Sequence, residues 1–135
     1  MRTRLDVKPW LYSTVAMFVL VSLLAYLGNR VFPLPGASPA EVTTMMRVWV
    51  YVGRLIFCAM FVYIYSRGYE YKPVLAQGLR YGLWMALLIP VPLFFLGLAN
   101  PLSVIEHQTG FLVGNIFQML LSGLLVGQLY QPKQG

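Results

Sequence analysis

Charge-free stretches set the pattern of this chain. Residues 9–29, 55–66, 81–105 and 107–132 contain no Lys, Arg, Asp or Glu. A hydrocarbon core about 30 Å thick is crossed by roughly 20 helical residues, so the first, third and fourth stretches read as spanning helices on length alone. The second is too short by itself. Upstream of it, Val48, Trp49, Val50, Tyr51, Val52 and Gly53 are apolar and only Arg54 interrupts, so one helix with one buried arginine covers both parts. Ser38 can cap its free amides, Pro39 suits a first turn, and Glu41 sits where a capping box places its acid. A helix over 39–66 would be about 42 Å long at 1.5 Å per residue, so it must tilt or project from the bilayer.

The predicted helices are therefore 9–27, 39–66, 75–96 and 108–130, in a single integral membrane domain over 1–135. The expected fold class is all-α: a polytopic membrane protein with four transmembrane helices packed as a bundle. Pro9 and Trp10 open the first helix, and Gly28 and Asn29 are expected to end it. Pro90 and Pro92 remove two backbone donors from the third, which predicts a kink or unwound turn near Ile89. Asn100 and Pro101 follow that helix as a breaker. The longest connections are 28–38 and, on the same side, the link around 100–106.

Composition agrees with this pattern. Hydrophobic residues make up 59% of the chain and charged residues 10%, against roughly 25% charged in an ordinary soluble domain. Mean hydropathy is +0.68. Such a chain lacks the charges a water-exposed surface needs. Its net charge of +6 is read as topology and lipid contact, and nucleic acid is not an expected partner. Arg2, Arg4, Lys8, Arg67, Lys72, Arg80 and Lys133 fall on one side, and only Arg30 and Arg47 on the other. By the positive-inside rule both termini are expected in the cytoplasm. Trp10, Tyr12, Tyr26, Trp49, Tyr65, Tyr69, Tyr71, Tyr81 and Tyr130 lie near predicted span ends, where amphipathic rings favour the headgroup layer. The basic start, its apolar stretch and the later Ala37-Ser38-Pro39-Ala40 invite comparison with a cleaved secretory signal. The stretch is longer than such a signal uses and the cleavage site holds a proline, so a retained helix is the expectation.

Few residues carry candidate chemistry. Arg54 lies inside a span, two turns from Arg47 on the same face, where arginine usually faces protein, water or a partner. It either snorkels to the outer headgroups or forms a buried ion pair or anion site, with Glu106 and Glu41 as the expected carboxylates. Asn115, Gln118 and Ser122 form one polar stripe on the fourth helix. That stripe either makes interhelical hydrogen bonds or lines a small polar cavity that meets Arg54. Gly78 and Gly82, Gly110 and Gly114, and Gly123 and Gly127 are small residues four apart, a spacing that lets helices approach. They serve internal packing or association with another subunit. Glu41, Arg47, Glu106 and His107 form a candidate outer charge cluster, of which His107 changes charge near neutral pH. Carbonyls freed at Pro90 and Pro92 either mark a simple kink or resemble the broken helices of transporters. Cys58 is expected to be a small packing residue.

Catalysis finds no constellation. Asp6, Glu41, Glu70 and Glu106 are the only carboxylates, none paired within an apolar span, and no serine-hydrolase elbow, zinc-protease helix or phosphate loop occurs. One cysteine excludes an intramolecular disulfide and a cysteine-based zinc site; one histidine excludes a site built from histidines alone. No metal and no cofactor are expected, and the chain is read as a non-enzyme. A lipid-modifying enzyme using Glu106 and His107 at the outer interface is the weakest alternative.

Arg67-Gly68-Tyr69-Glu70, then Gln77-Gly78-Leu79-Arg80-Tyr81-Gly82 and Pro90, resembles a family of small four-helix bacterial inner-membrane proteins with no assigned activity. A Gly-Tyr-Glu turn there leads into a glycine-rich third helix, and the fourth ends in a pattern that Leu124, Leu125, Gly127 and Tyr130 fit. The resemblance covers the second to fourth helices, about two thirds of the chain. It implies a multi-pass place in a bacterial inner membrane and supplies no site residue. The turn has its own physical reading: Gly68 stops the second helix in a left-handed conformation. Glu70 then neutralises Arg67, Lys72 or Arg80, a cytoplasmic latch of Arg67, Glu70 and Arg80 or, alternatively, a docking surface. The functional expectation is a non-enzymatic accessory or assembly subunit of a larger inner-membrane complex, in contact with the lipid bilayer and a membrane-protein partner. The alternative is a homo-oligomeric carrier or channel for a solute or lipid, using Arg54, Asn115, Gln118 and the proline break.

Overall fold

A computed structural model describes residues 6–31, 44–70, 73–99 and 105–131. These are helical throughout apart from the turns between helices: α1 is Val7–Val31, α2 Thr44–Arg67, α3 Val74–Leu88, α4 Pro90–Leu98 and α5 Ile105–Leu129. Because α3 and α4 are separated by Ile89 alone, they form one span over Val74–Leu98, and the chain has four helices long and apolar enough to cross a membrane. No strand occurs among the described residues.

Helix ends show local chemistry at work. The amide of Trp10 donates to the Asp6 carbonyl at 3.2 Å, so α1 starts before Pro9, whose missing N–H is harmless in a first turn. At its other end α1 runs through Gly28 and Asn29 to Val31, four residues beyond the expected Leu27. A glycine in a helix costs about 1 kcal/mol relative to alanine, which does not outweigh continued backbone bonding. Arg30 supports this last turn: its Nη2 donates to the Tyr26 hydroxyl at 3.0 Å, and the guanidinium lies 5.3 Å from that ring's centre.

The expected start of the second helix at Ser38, Pro39 and Glu41 lies outside the described residues. Its end is at Arg67, and there the Gly68 amide donates to both Ile64 and Tyr65 carbonyls, at 3.2 and 3.1 Å. Gly68 does not take a positive φ, so the left-handed stop is not used. The shared bond to two carbonyls closes the last turn instead.

Proline breaks the third span where expected. Ile89 has φ −109° and ψ −68°, yet its amide still reaches the Met85 carbonyl at 3.1 Å and its own carbonyl accepts from Leu93 at 3.3 Å. What the prolines remove are the amides that would have met the Ala86 and Leu88 carbonyls. The fourth span begins at Ile105, three residues earlier than expected. Glu106 and His107 therefore occupy a helical first turn rather than a connecting loop, and an acid there suits the positive end of the helix dipole.

The chain divides into two compact units, Met1–Tyr69 with Leu129–Gly135, and Glu70–Gln128. In the first, α1 and α2 run antiparallel in contact, with Trp10 against Ala59, Phe18 against Tyr51 and Ser22 against Arg54. Met17, Val21, Cys58, Phe61, Val62, Tyr65 and Tyr130 are its buried apolar side chains. In the second unit, Met85, Ala86, Met119 and Val126 are buried, together with Gly78, Gly82, Gly123 and Gly127.

Candidate functional site

Arg54 stands well inside α2, about 15 Å from Thr44 and about 20 Å from Arg67 at helical rise. In a helix long and apolar enough to cross a membrane, an arginine at such a position would cost on the order of 3 kcal/mol or more to insert, so its surroundings decide what it does. The side chain is half-buried. Its Nη1 donates to the Ser22 Oγ of α1 at 3.2 Å, and its guanidinium lies 5.6 Å from the centre of the Tyr51 ring, one turn back on α2. Tyr51 in turn meets Phe18 of α1 with ring centres 6.3 Å apart. Arg54 thus bridges the α1–α2 seam with its guanidinium carried toward the Thr44 end of α2, where Tyr51 lies and where the pairing of Trp10 with Ala59 and of Phe18 with Tyr51 also places Ser22. Ser22, 32 residues away, was not a candidate from sequence; a serine in an apolar helix gives no sign of which neighbour it faces.

The other members of the expected polar site lie in the second unit, on α5. Asn115 is turned back on its own helix, its Nδ2 donating to the Phe111 carbonyl at 2.7 Å. Gln118 is half-buried. Ser122 is fully buried, and its hydroxyl has no hydrogen-bond partner among the described residues. The stripe is therefore bonded locally through one N–H at Asn115 and open at Ser122. Ser13 on α1 is a second fully buried hydroxyl without a partner.

Glycines of equal spacing have unequal surroundings. A Cβ built on Gly78 would fall 2.6 Å from the Gly123 carbonyl oxygen, and one on Gly82 would fall 2.7 Å from that of Met119. Here α3 and α5 meet backbone to backbone, which no larger residue permits. Gly110 and Gly114 have nothing within 4 Å of such an atom, so among the described residues of their own unit they make no close crossing. At about 100° per residue, Gly110, Val113, Gly114 and Phe117 share one face of α5, turned away from the buried Met119, Gly123 and Val126. Val113 and Phe117 are 62% and 57% exposed.

Of the expected latch, Arg67 bonds one turn back, its Nη2 donating to the Tyr63 hydroxyl at 3.0 Å with the guanidinium 5.1 Å from that ring's centre. Glu70 and Arg80 are exposed. At the same end of α2, Tyr65, Tyr69 and Tyr130 form a ring trio, each pair 6.1 Å apart and edge-on. Tyr65 and Tyr130 are 1% and 2% exposed, so they belong to the core rather than to a headgroup layer. Trp10 likewise turns inward, its indole Nε1 donating to the Ala59 carbonyl at 3.2 Å.

In the outer charge cluster, Arg47, Glu106 and His107 are exposed, and Glu41 lies outside the described residues. Cys58 is buried and free. Among the described residues no three His, Cys, Asp or Glu side chains come together as a metal site. Comparison of the chain with known protein families, with curated proteins and with solved structures finds no match.

Proposed function

We propose that this chain is a small, non-enzymatic, multi-pass protein of a bacterial inner membrane, serving as an accessory or assembly subunit of a larger complex. Its four spans form a helical bundle with both termini cytoplasmic, as the basic residues imply. One observation carries the reading: the Gly110–Gly114 face of α5 has the small-residue spacing used for close helix packing, but among the described residues of its own unit nothing fills it. Gly78, Gly82 and Gly123 already supply the internal crossing. Lipid can cover an apolar face, yet a glycine notch gains little from lipid and much from another helix backbone.

Transport by a homo-oligomer is the second reading, favoured by the broken third span and the buried Ser122 hydroxyl. Asn115 keeps its second N–H and its Oδ1 for such a pathway, since only one N–H is given to the Phe111 carbonyl. Native mass spectrometry of the protein extracted with lipid at endogenous expression separates the two. Recovery in one assembly of fixed composition supports the accessory role. Recovery only as monomer or homo-oligomer removes it and moves the search to transport.

A further inference from the structure

Arg54 carries a full charge that one serine hydroxyl and one ring face do not neutralise. A guanidinium has five N–H donors in a planar fork, and Ser22 accepts from Nη1 alone. Among the described residues of α1 and α2 no carboxylate stands at this level, and Glu41 lies outside them. Asp6 precedes the far end of α1, and Glu70 follows the far end of α2, about 24 Å along the chain axis from Arg54. Glu106 is exposed in the first turn of α5. Beside Arg54, Gly53 has nothing within 4 Å of where a Cβ would be, so the α2 backbone is open to close approach at that point.

We propose that Arg54, oriented by Ser22 and Tyr51, receives a carboxylate carried mid-span by a transmembrane helix of another protein. This rests on the accessory-subunit reading and names the chemistry of the partner. Depth selects the source of the anion. Ser22, which holds the guanidinium, is about 13 Å from Val31 at the near end of α1, whereas lipid phosphates lie outside the hydrocarbon. An aspartate or glutamate on a spanning helix meets the fork at its own level, bidentate, with the partner backbone seated at Gly53. Such an acid is insoluble in hydrocarbon as an anion, so an arginine at matching depth also fixes the register of the two helices.

The test uses full-length protein in phosphatidylcholine vesicles with a leucine-rich transmembrane peptide bearing one central Glu, and its Gln twin. Association is read by energy transfer between dyes on the protein C-terminus and the peptide. The Glu peptide should bind at least about tenfold more tightly than the Gln peptide, the size of one charge-assisted hydrogen bond. Arg54→Gln should abolish that preference and Arg54→Lys should keep part of it, each variant first shown to be folded by its thermal melt. Equal binding of the two peptides overturns the proposal, as does a preference that survives Arg54→Gln. Displacement of the Glu peptide by phosphatidylglycerol in the vesicles, dependent on Arg54, also overturns it and assigns the site to lipid. A Glu preference in a protein isolated only as a monomer would leave this site standing and remove the accessory role; an assembly of fixed composition that tolerates Arg54→Gln would do the reverse.

Discussion

Gly123→Ala tests the α3–α5 crossing most sharply. A Cβ on Gly123 would lie 2.8 Å from both the Cα and the amide nitrogen of Gly82, where ordinary van der Waals contact needs 3.4–4 Å. The Gly78 carbonyl oxygen stands closer still, so the helices must separate locally by at least about 0.6 to 1.2 Å; the obstructing atoms are all backbone, and no rotamer change relieves them. Overpacking of this kind costs about 1–3 kcal/mol, while alanine returns up to about 1 kcal/mol of helix propensity over glycine. With three backbone atoms obstructing one methyl, the cost belongs at the upper part of that range, about 2–3 kcal/mol, and the net expectation is a loss of about 1–2 kcal/mol. Gly114→Ala is the matched control, because nothing stands within 4 Å of its new methyl; there only the propensity gain acts. Unfolding in mild-detergent micelles titrated with dodecyl sulfate, followed by circular dichroism, gives both values. The two substitutions should move stability in opposite directions. If Gly123→Ala is as stable as the parent, or moves with Gly114→Ala, the close crossing is wrong.

Two further expectations concern the first unit. Tyr130→Ala removes one ring of the Tyr65–Tyr69–Tyr130 trio and should cost about 3 kcal/mol, whereas Tyr130→Phe keeps the ring and should stay within about 1 kcal/mol; the same unfolding titration distinguishes them. Trp10→Phe loses the indole bond to the Ala59 carbonyl, and a membrane hydrogen bond is worth about 0.6 kcal/mol, so its effect should be small and should exceed that of a conservative change at exposed Trp84.

The four long apolar helices and the break at Ile89 are legible because they depend on local properties: runs without charge, and prolines that cannot donate. Helix ends were less so. Gly28 and Gly68 are ordinary stop signals, but continued backbone bonding carried α1 past the first, and a shared bond closed α2 at the second without a left-handed residue. Pairings between distant residues left no trace in the sequence. Gly78–Gly82 and Gly110–Gly114 have identical spacing, and only the fold shows that the first pair faces a backbone and the second open space. Tyr130 looked like an interfacial ring because it ends a span, yet the ring trio draws it inward. Arg54 was conspicuous by its charge, while its partner Ser22 was not, since a hydroxyl in an apolar helix has no preferred direction until two helices pack.

The claim that the Gly110–Gly114 face belongs to another membrane protein can be tested in the living cell. Phe117 lies on that face and is largely exposed, so replacing it with the photoreactive benzoylphenylalanine changes little else. On irradiation one discrete adduct with a single other membrane protein is expected, and none from the same group placed at exposed Leu79 of α3. Adducts with lipid or with a second copy of this chain alone would contradict it.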